Sequence, residues 1–142
     1  MQLNPDTPGA LEGVRVLVVD DNPSMRSVVR RFLQRAGCIV IDAGAPSEAV
    51  RVARAYAGHL DIALVDLVLP EMSGPECAEM LQDDRPELAV AYMSGYAEIS
   101  ADRRSDAGAP ILLQKPFARD ELVNAIRRLL GAVVPGELSY TH

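Results

Sequence analysis

The sequence predicts an α/β fold built on a parallel sheet. Short apolar runs, the first of them rich in valine, alternate with amphipathic segments of helical period along most of the 142 residues. The first run, Val14–Val19, is broken only by Arg15, as expected of a strand covered on both faces. Charged and hydroxyl residues stand just beyond the runs, at the edge where parallel sheets bind their ligands. Right-handed crossovers then place helices on both faces.

Each element has its own justification. Residues 1–13 carry Pro5, Pro8, Gly9 and Gly13 without periodicity and read as a flexible leader. The domain is expected over residues 14–131. After the first strand, Asn22-Pro23 is a helix start with proline at the first helical position. Met25, Val28, Val29, Phe32, Leu33 and Ala36 share one face of that helix, and Gly37 ends it. Cys38–Ala43 is the second strand. Pro46–Ala57 is the second helix, with Ala49, Val50 and Ala53 inward. Asp61–Val65 is the third strand, leading into Asp66. Ser73 and Glu76 fit a capping box for a third helix reaching about Asp84. Ala89–Met93 is the fourth strand, Glu98–Asp106 a weaker fourth helix, and Pro110–Leu113 the fifth strand. A fifth helix, from about Ala118 to Leu130, buries Leu122, Ile126, Leu129 and Leu130. A flexible tail is expected over 132–142.

Composition narrows the function. Hydrophobic residues are 49% and charged residues 24%, the balance of a water-soluble globular domain. No apolar run reaches the length of a membrane span, and the N-terminus lacks a secretory pattern, so a cytoplasmic protein with no membrane role is expected. The net charge of −6 and the absence of a basic cluster argue against nucleic acid as a partner. Cys38 and Cys77 have no metal-type spacing and read as reduced, buried thiols; His59 and His142 are isolated, which leaves zinc without a ligand set. Thirteen of the fourteen basic residues are arginine, and the one lysine is Lys115.

The chemistry lies beyond the strands. Asp20 and Asp21 follow the first, Asp66 the third, Ser94 the fourth, and Lys115 with Pro116 the fifth. Taken singly, each is ordinary turn chemistry. Together they bring three carboxylates to one edge, where like charges about 4 Å apart repel by roughly 4 kcal/mol per pair at an effective dielectric near 20. Such a cluster calls for a hard cation, and Mg²⁺ suits carboxylates that leave room for water and phosphate. Lys115 balances the remaining charge. A carboxylate so placed can attack a phosphoryl group to give an aspartyl phosphate, with Mg²⁺ and Lys115 stabilising the transferring group.

The segments VLVVDDNPSMR, LVDLVLPEMSG, MSGYAE and LLQKPF resemble, in order and spacing, the receiver domains of two-component response regulators over roughly residues 14–130. The resemblance implies a flavodoxin-like, doubly wound five-stranded sheet of order 2-1-3-4-5 with five helices. It implies Asp66 as phosphoacceptor, with Mg²⁺ held by Asp20, Asp21, Asp66 and the backbone carbonyl of Val68. Ser94 and Lys115 are then the phosphate-binding and switch residues, and Lys115–Pro116 is a cis bond. The implied partners are a histidine kinase or histidine phosphotransfer protein and an unidentified downstream protein. MSGYAE and LLQKPF look most like receivers attached to hybrid histidine kinases, so a stand-alone regulator and a piece of a larger kinase are both open.

Two positions depart from the family pattern. Leu112 stands where a tyrosine or phenylalanine often couples the phosphate to the surface, and Ala118 stands where Ser or Thr often caps the last helix. Val68 and Tyr96 flank the site. The leading expectation is a phosphorylation-dependent switch, not an enzyme, whose only chemistry is on its own aspartate. A constitutive docking module is the first rival, with Leu112 its best support. An α/β enzyme or nucleotide binder is the second. It lacks the glycine-rich turn that a pyrophosphate needs, and Asp20-Asp21 would repel one.

Overall fold

The computed structural model describes residues 10–95 and 111–133, the last two by backbone alone. The elements run β1 (Arg15–Val19), α1 (Pro23–Arg35), β2 (Ile39–Ala43), α2 (Pro46–Ala55), β3 (Ile62–Asp66), α3 (Gly74–Asp84), β4 (Ala89–Ser94), β5 (Ile111–Gln114) and α4 (Arg119–Val133). All five strands are parallel, in the order β2-β1-β3-β4-β5. The sheet and its order agree with expectation. The helix count differs: four helices, not five, occur among the described residues, and the fourth helix expected over Glu98–Asp106 lies outside them, as does Tyr96.

Alternation along the strands divides the core into two layers. Val16, Val18, Ile62, Leu64, Ala91, Met93 and Leu113 face α1 and α4. Leu17, Val19, Ala63 and Val65 face the opposite way and pack with Ala49, Val50 and Ala53 of α2 and Cys77 and Leu81 of α3. Central strands are therefore apolar on both faces, and β3 is buried at every position. The edge strands β2 and β5 are partly wet, with Ile39 and Leu112 exposed.

Local chemistry sets most boundaries. Asn22 caps α1, its side chain accepting from the Met25 N–H at 3.0 Å, and Pro23 opens the helix. Ser73 and Glu76 form the complete capping box of α3. Ala118 has no capping oxygen, but Glu121 accepts from the Ala118 N–H at 2.7 Å, which supplies the reciprocal half of such a box for α4. Ala45 likewise has no side chain with which to cap α2.

The stretch read as a flexible leader is anchored at its end. Leu11 is buried against the α1 side of the core, and its N–H donates to the Ala36 carbonyl at 2.7 Å. Burying Leu11 against α1, with Ala10 packed beside it, draws the backbone of 10–13 onto the domain. At the other end α4 continues to Val133, past the expected limit.

Candidate functional site

The strand order reverses between β1 and β3: the chain leaves β1 for β2 on one side and returns to β3 on the other. A crevice forms beyond the carboxyl ends of strands at such a point. Asp20 follows β1 and Asp66 ends β3, so the two carboxylates come from the strands that flank it.

Asp20 is fully buried. Its Oδ1 accepts from the Asn22 N–H at 2.9 Å, and its backbone carbonyl accepts from Arg26 Nη1 at 2.7 Å. Arg26 also lies 3.5 Å from Asp42. The carboxylate is thus aimed by the turn that starts α1, and the turn is pinned by a residue one helical turn along. Asp66 is 7% exposed, and its Oδ1 accepts from the Val68 N–H at 3.2 Å. Asp21 is exposed and stands on the open side of the group. One ligand atom from each of Asp20, Asp21 and Asp66 can be chosen such that all lie within 4.8 Å of one another.

Lys115 arrives from the far side of the sheet. Its Nζ donates to Asp20 Oδ2 at 2.9 Å and to Asp66 Oδ2 at 2.7 Å. The β5–α4 turn that carries it is held by the Lys115 N–H to Ser94 carbonyl bond of 2.8 Å, and the Lys115–Pro116 peptide is cis. Burial works to lower the Lys115 pKa, but hydrogen bonds and charge attraction from Asp66 and Asp20 outweigh it and raise the value overall. Burial is also the largest influence on Asp66, and it raises the carboxyl pKa despite the opposing bonds from Lys115 and Val68.

Ser94 is fully buried at the end of β4, one residue past the Met93–Asp66 pair, and its Oγ donates to the Gly95 carbonyl at 3.1 Å. Val68 is exposed beside the crevice. Leu112 pairs in register with Tyr92 and is 39% exposed. The structure therefore brings Asp20, Asp21, Asp66 and Lys115 into one group, with Ser94 and Val68 at its border.

The donor set fits a hard divalent ion. Three carboxylates face a single ammonium, so the group is left with excess negative charge, and all its ligand atoms are oxygens. Asp21 keeps one side open to water. Mg²⁺ would be held by Asp20, Asp21 and Asp66.

Sequence reasoning missed three contributors. Arg26 holds the Asp20 carbonyl. Gly74 lies so close to the Asp66 carbonyl oxygen that a Cβ would collide with it and with Leu67 Cα. Glu71 has a left-handed backbone, φ 71°, in the loop that follows Asp66. Only Gly74 had a visible signal, as the glycine after a capping serine.

Comparison with known proteins gives a consistent result. The family described as response regulator receiver domain matches residues 16–127. The chain is 34% identical over 116 residues to the sensor kinase CckA of Brucella abortus, covering 81% of this chain and 12% of that protein. It is 32% identical over 121 residues to the response regulator receiver protein CpdR of the same organism, covering 83% of this chain and 98% of that one. A receiver domain structure from Clostridium thermocellum superimposes with a TM-score of 0.73 at 21% identity, covering 84% of this chain and 95% of that one. The chain thus spans a small part of the kinase and nearly all of CpdR.

Proposed function

We propose, from the premise that this chain belongs to the response regulator receiver domain family, that it is a phosphorylation-dependent switch whose phosphoacceptor is Asp66. The observation that carries the reading is the bridging of Asp20 and Asp66 by Lys115 at 2.9 and 2.7 Å, with Asp21 in reach of the same point.

The donor in this reading is the phosphohistidine of a histidine kinase or phosphotransfer protein. The Asp66 carboxylate attacks phosphorus, a P–O bond forms as the P–N bond breaks, and the leaving imidazole takes up a proton. Asp20, Asp21, Asp66 and the Val68 carbonyl would hold Mg²⁺, which would supply positive charge against the transferring phosphoryl oxygens. Lys115 holds Asp66 in place beforehand and then shares its ammonium with the phosphoryl group. Ser94 turns its hydroxyl from the Gly95 carbonyl toward a phosphoryl oxygen. The added charge biases the surface around β5 and α4 toward a second arrangement that a downstream protein recognises. No separate substrate is turned over, and nucleic acid is not a partner. The setting in this reading is the cytoplasm, and no helix among the described residues is long and apolar enough to cross a membrane.

The test is intact mass after incubation with a small-molecule phosphodonor, with and without Mg²⁺, beside Asp66→Asn. A Mg²⁺-dependent gain of one phosphoryl group, absent in the variant, is expected. Labelling that persists in Asp66→Asn would remove Asp66 from the role. Leu112, exposed where an aromatic readout residue often stands, favours a second reading as a constitutive docking module; unchanged partner binding by Asp66→Asn would select it.

A further inference from the structure

We infer that Glu71 is a positioning residue for the cation site, acting as a strap that ties the β3–α3 loop to the amino end of α2. The inference rests on the proposed binding of Mg²⁺ at Asp20, Asp21, Asp66 and the Val68 carbonyl.

Two independent features converge on Glu71. The first is its backbone. At φ 71° it is the one non-glycine residue with positive φ among those described, a conformation that costs a β-carbon-bearing residue free energy and persists where its surroundings enforce it. The second is what its side chain does. Glu71 Oε1 accepts from the Ser47 N–H at 2.9 Å, and Glu71 Oε2 accepts from Ser47 Oγ at 2.9 Å. Ser47 lies in the first turn of α2, whose own cap position is Ala45 and makes no side-chain bond. An N–H of the first turn has no partner within its helix, and a carboxylate there also meets the positive end of the helix dipole. The strained residue therefore supplies from 24 positions away the cap that α2 lacks.

The geometry links this to the site. Between Asp66 and Gly74 the loop must present the Val68 carbonyl to a cation. It is held at its start by the Val68 N–H to Asp66 Oδ1, and at its end by the Gly74 N–H to Leu67 carbonyl bond of 2.8 Å. A further bond, from the Met72 N–H to the Pro70 carbonyl at 2.7 Å, stays inside the loop. The Glu71–Ser47 pair is the hydrogen-bonded tie of that loop to α2, and Leu69 and Met72 of the loop pack on the apolar layer that α2 shares. Releasing the pair leaves Val68 held by its N–H bond to Asp66 and by the packing of Leu69 and Met72 on the apolar layer, and removes the polar tie that fixes the loop against α2.

The measurement is Mg²⁺ affinity by titration calorimetry on the full chain, using the metal alone, with urea unfolding in parallel. Glu71→Gly removes the strap and the backbone strain together. Its stability should change little, while Mg²⁺ binding weakens about tenfold, at the low end for groups that orient metal ligands. Ser47→Ala keeps the N–H and loses only the hydroxyl, so a smaller loss of affinity is expected. Combining it with Glu71→Gly should add nothing further. Glu71→Gln, which keeps one carbonyl acceptor, should recover part of the affinity. Mg²⁺ affinity in Glu71→Gly within twofold of wild type would overturn the inference and leave the proposed function standing. If the wild-type chain binds no Mg²⁺, or binds it equally well as Asp66→Asn, both readings fall.

Discussion

Removing the charge of Asp66 should stabilise the metal-free protein. Ligand atoms of Asp20, Asp21 and Asp66 lie within 4.8 Å of one another. At an effective dielectric near 20, two like charges at such a spacing repel by about 3.5 kcal/mol, and Asp66 takes part in two such pairs. Its attraction to Lys115 Nζ across 2.7 Å is about 6 kcal/mol on the same scale. The two effects nearly cancel, so burial decides the sign, and burial opposes the carboxylate. Asp66→Asn keeps an acceptor for Lys115, and its expected gain in unfolding free energy is about 1 kcal/mol at neutral pH. The pH dependence follows the same sign. A carboxyl whose pKa is raised in the folded state holds its proton longer there, so its contribution is present below the ordinary value of 3.8 and lost as pH rises through the folded value. Asp66→Asn should lack that loss. Mg²⁺ at ten times its dissociation constant should add about 1.4 kcal/mol to wild type and less to the variant, which narrows or reverses their order. The assay is urea unfolding followed by far-ultraviolet circular dichroism, since the chain has no tryptophan, in chelator and in Mg²⁺. If Asp66→Asn is less stable than wild type by 1 kcal/mol or more in chelator, or if Mg²⁺ stabilises both equally, the reasoning fails.

Three further outcomes follow from the packing. Gly74→Ala drives a Cβ into the Asp66 carbonyl and Leu67 Cα, so it should cost about 1–3 kcal/mol in urea unfolding and reduce labelling by a phosphodonor. Arg85 donates to the carbonyls of Gly58, Ala53 and Tyr56 at 3.0, 2.8 and 2.9 Å. Arg85→Ala should therefore cost about 2–3 kcal/mol, with Arg85→Lys recovering only part of it. Because Arg85 follows α3, at the sheet edge opposite the crevice, Mg²⁺ affinity should not change. Burial pushes the Cys38 thiol up to about 12, with smaller contributions from Asp61 and Glu12, and the Cys77 thiol up to about 11. Neither should react with an aromatic disulfide reagent at pH 8 until the chain is unfolded, when both should.

What the sequence disclosed was local. A strand buried on both faces must be apolar at consecutive positions, and β1 and β3 meet that demand and were legible for that reason. Asn22, Ser73 and Glu76 act within three residues of the N–H groups they satisfy, so their pattern is visible along the chain. The acidic and amine groups were legible because the parallel fold fixes which end of each strand they occupy. Contacts that join distant segments were not. Nothing near Glu71 marks it as the partner of Ser47, and nothing near Arg85 marks it as the cap of the carboxyl end of α2. Edge strands were also harder to delimit: β2 begins at Ile39 rather than Cys38, because its pairing with β1 starts opposite Arg15, and that register is set by the neighbouring strand. Leu11 illustrates the same limit, since scattered aliphatic residues in a stretch broken by proline and glycine carry no period.

The arrangement also explains why a site of this kind is supported from outside itself. Asp20 and Asp66 are buried carboxylates with one ammonium between them, and burial opposes the charge of Asp66. The apolar layers on the two faces of the sheet must carry the domain, and they do so with side chains that have no part in the chemistry. Positioning is then delegated to polar contacts at the rim. Arg26 fixes the Asp20 turn, Gly74 lets α3 start against the Asp66 carbonyl, and Glu71 ties the loop to α2. Each lies a few residues from a charged group and none replaces it. The apolar layers thus let the carboxylates retain a charge repulsion that a bound cation would relieve.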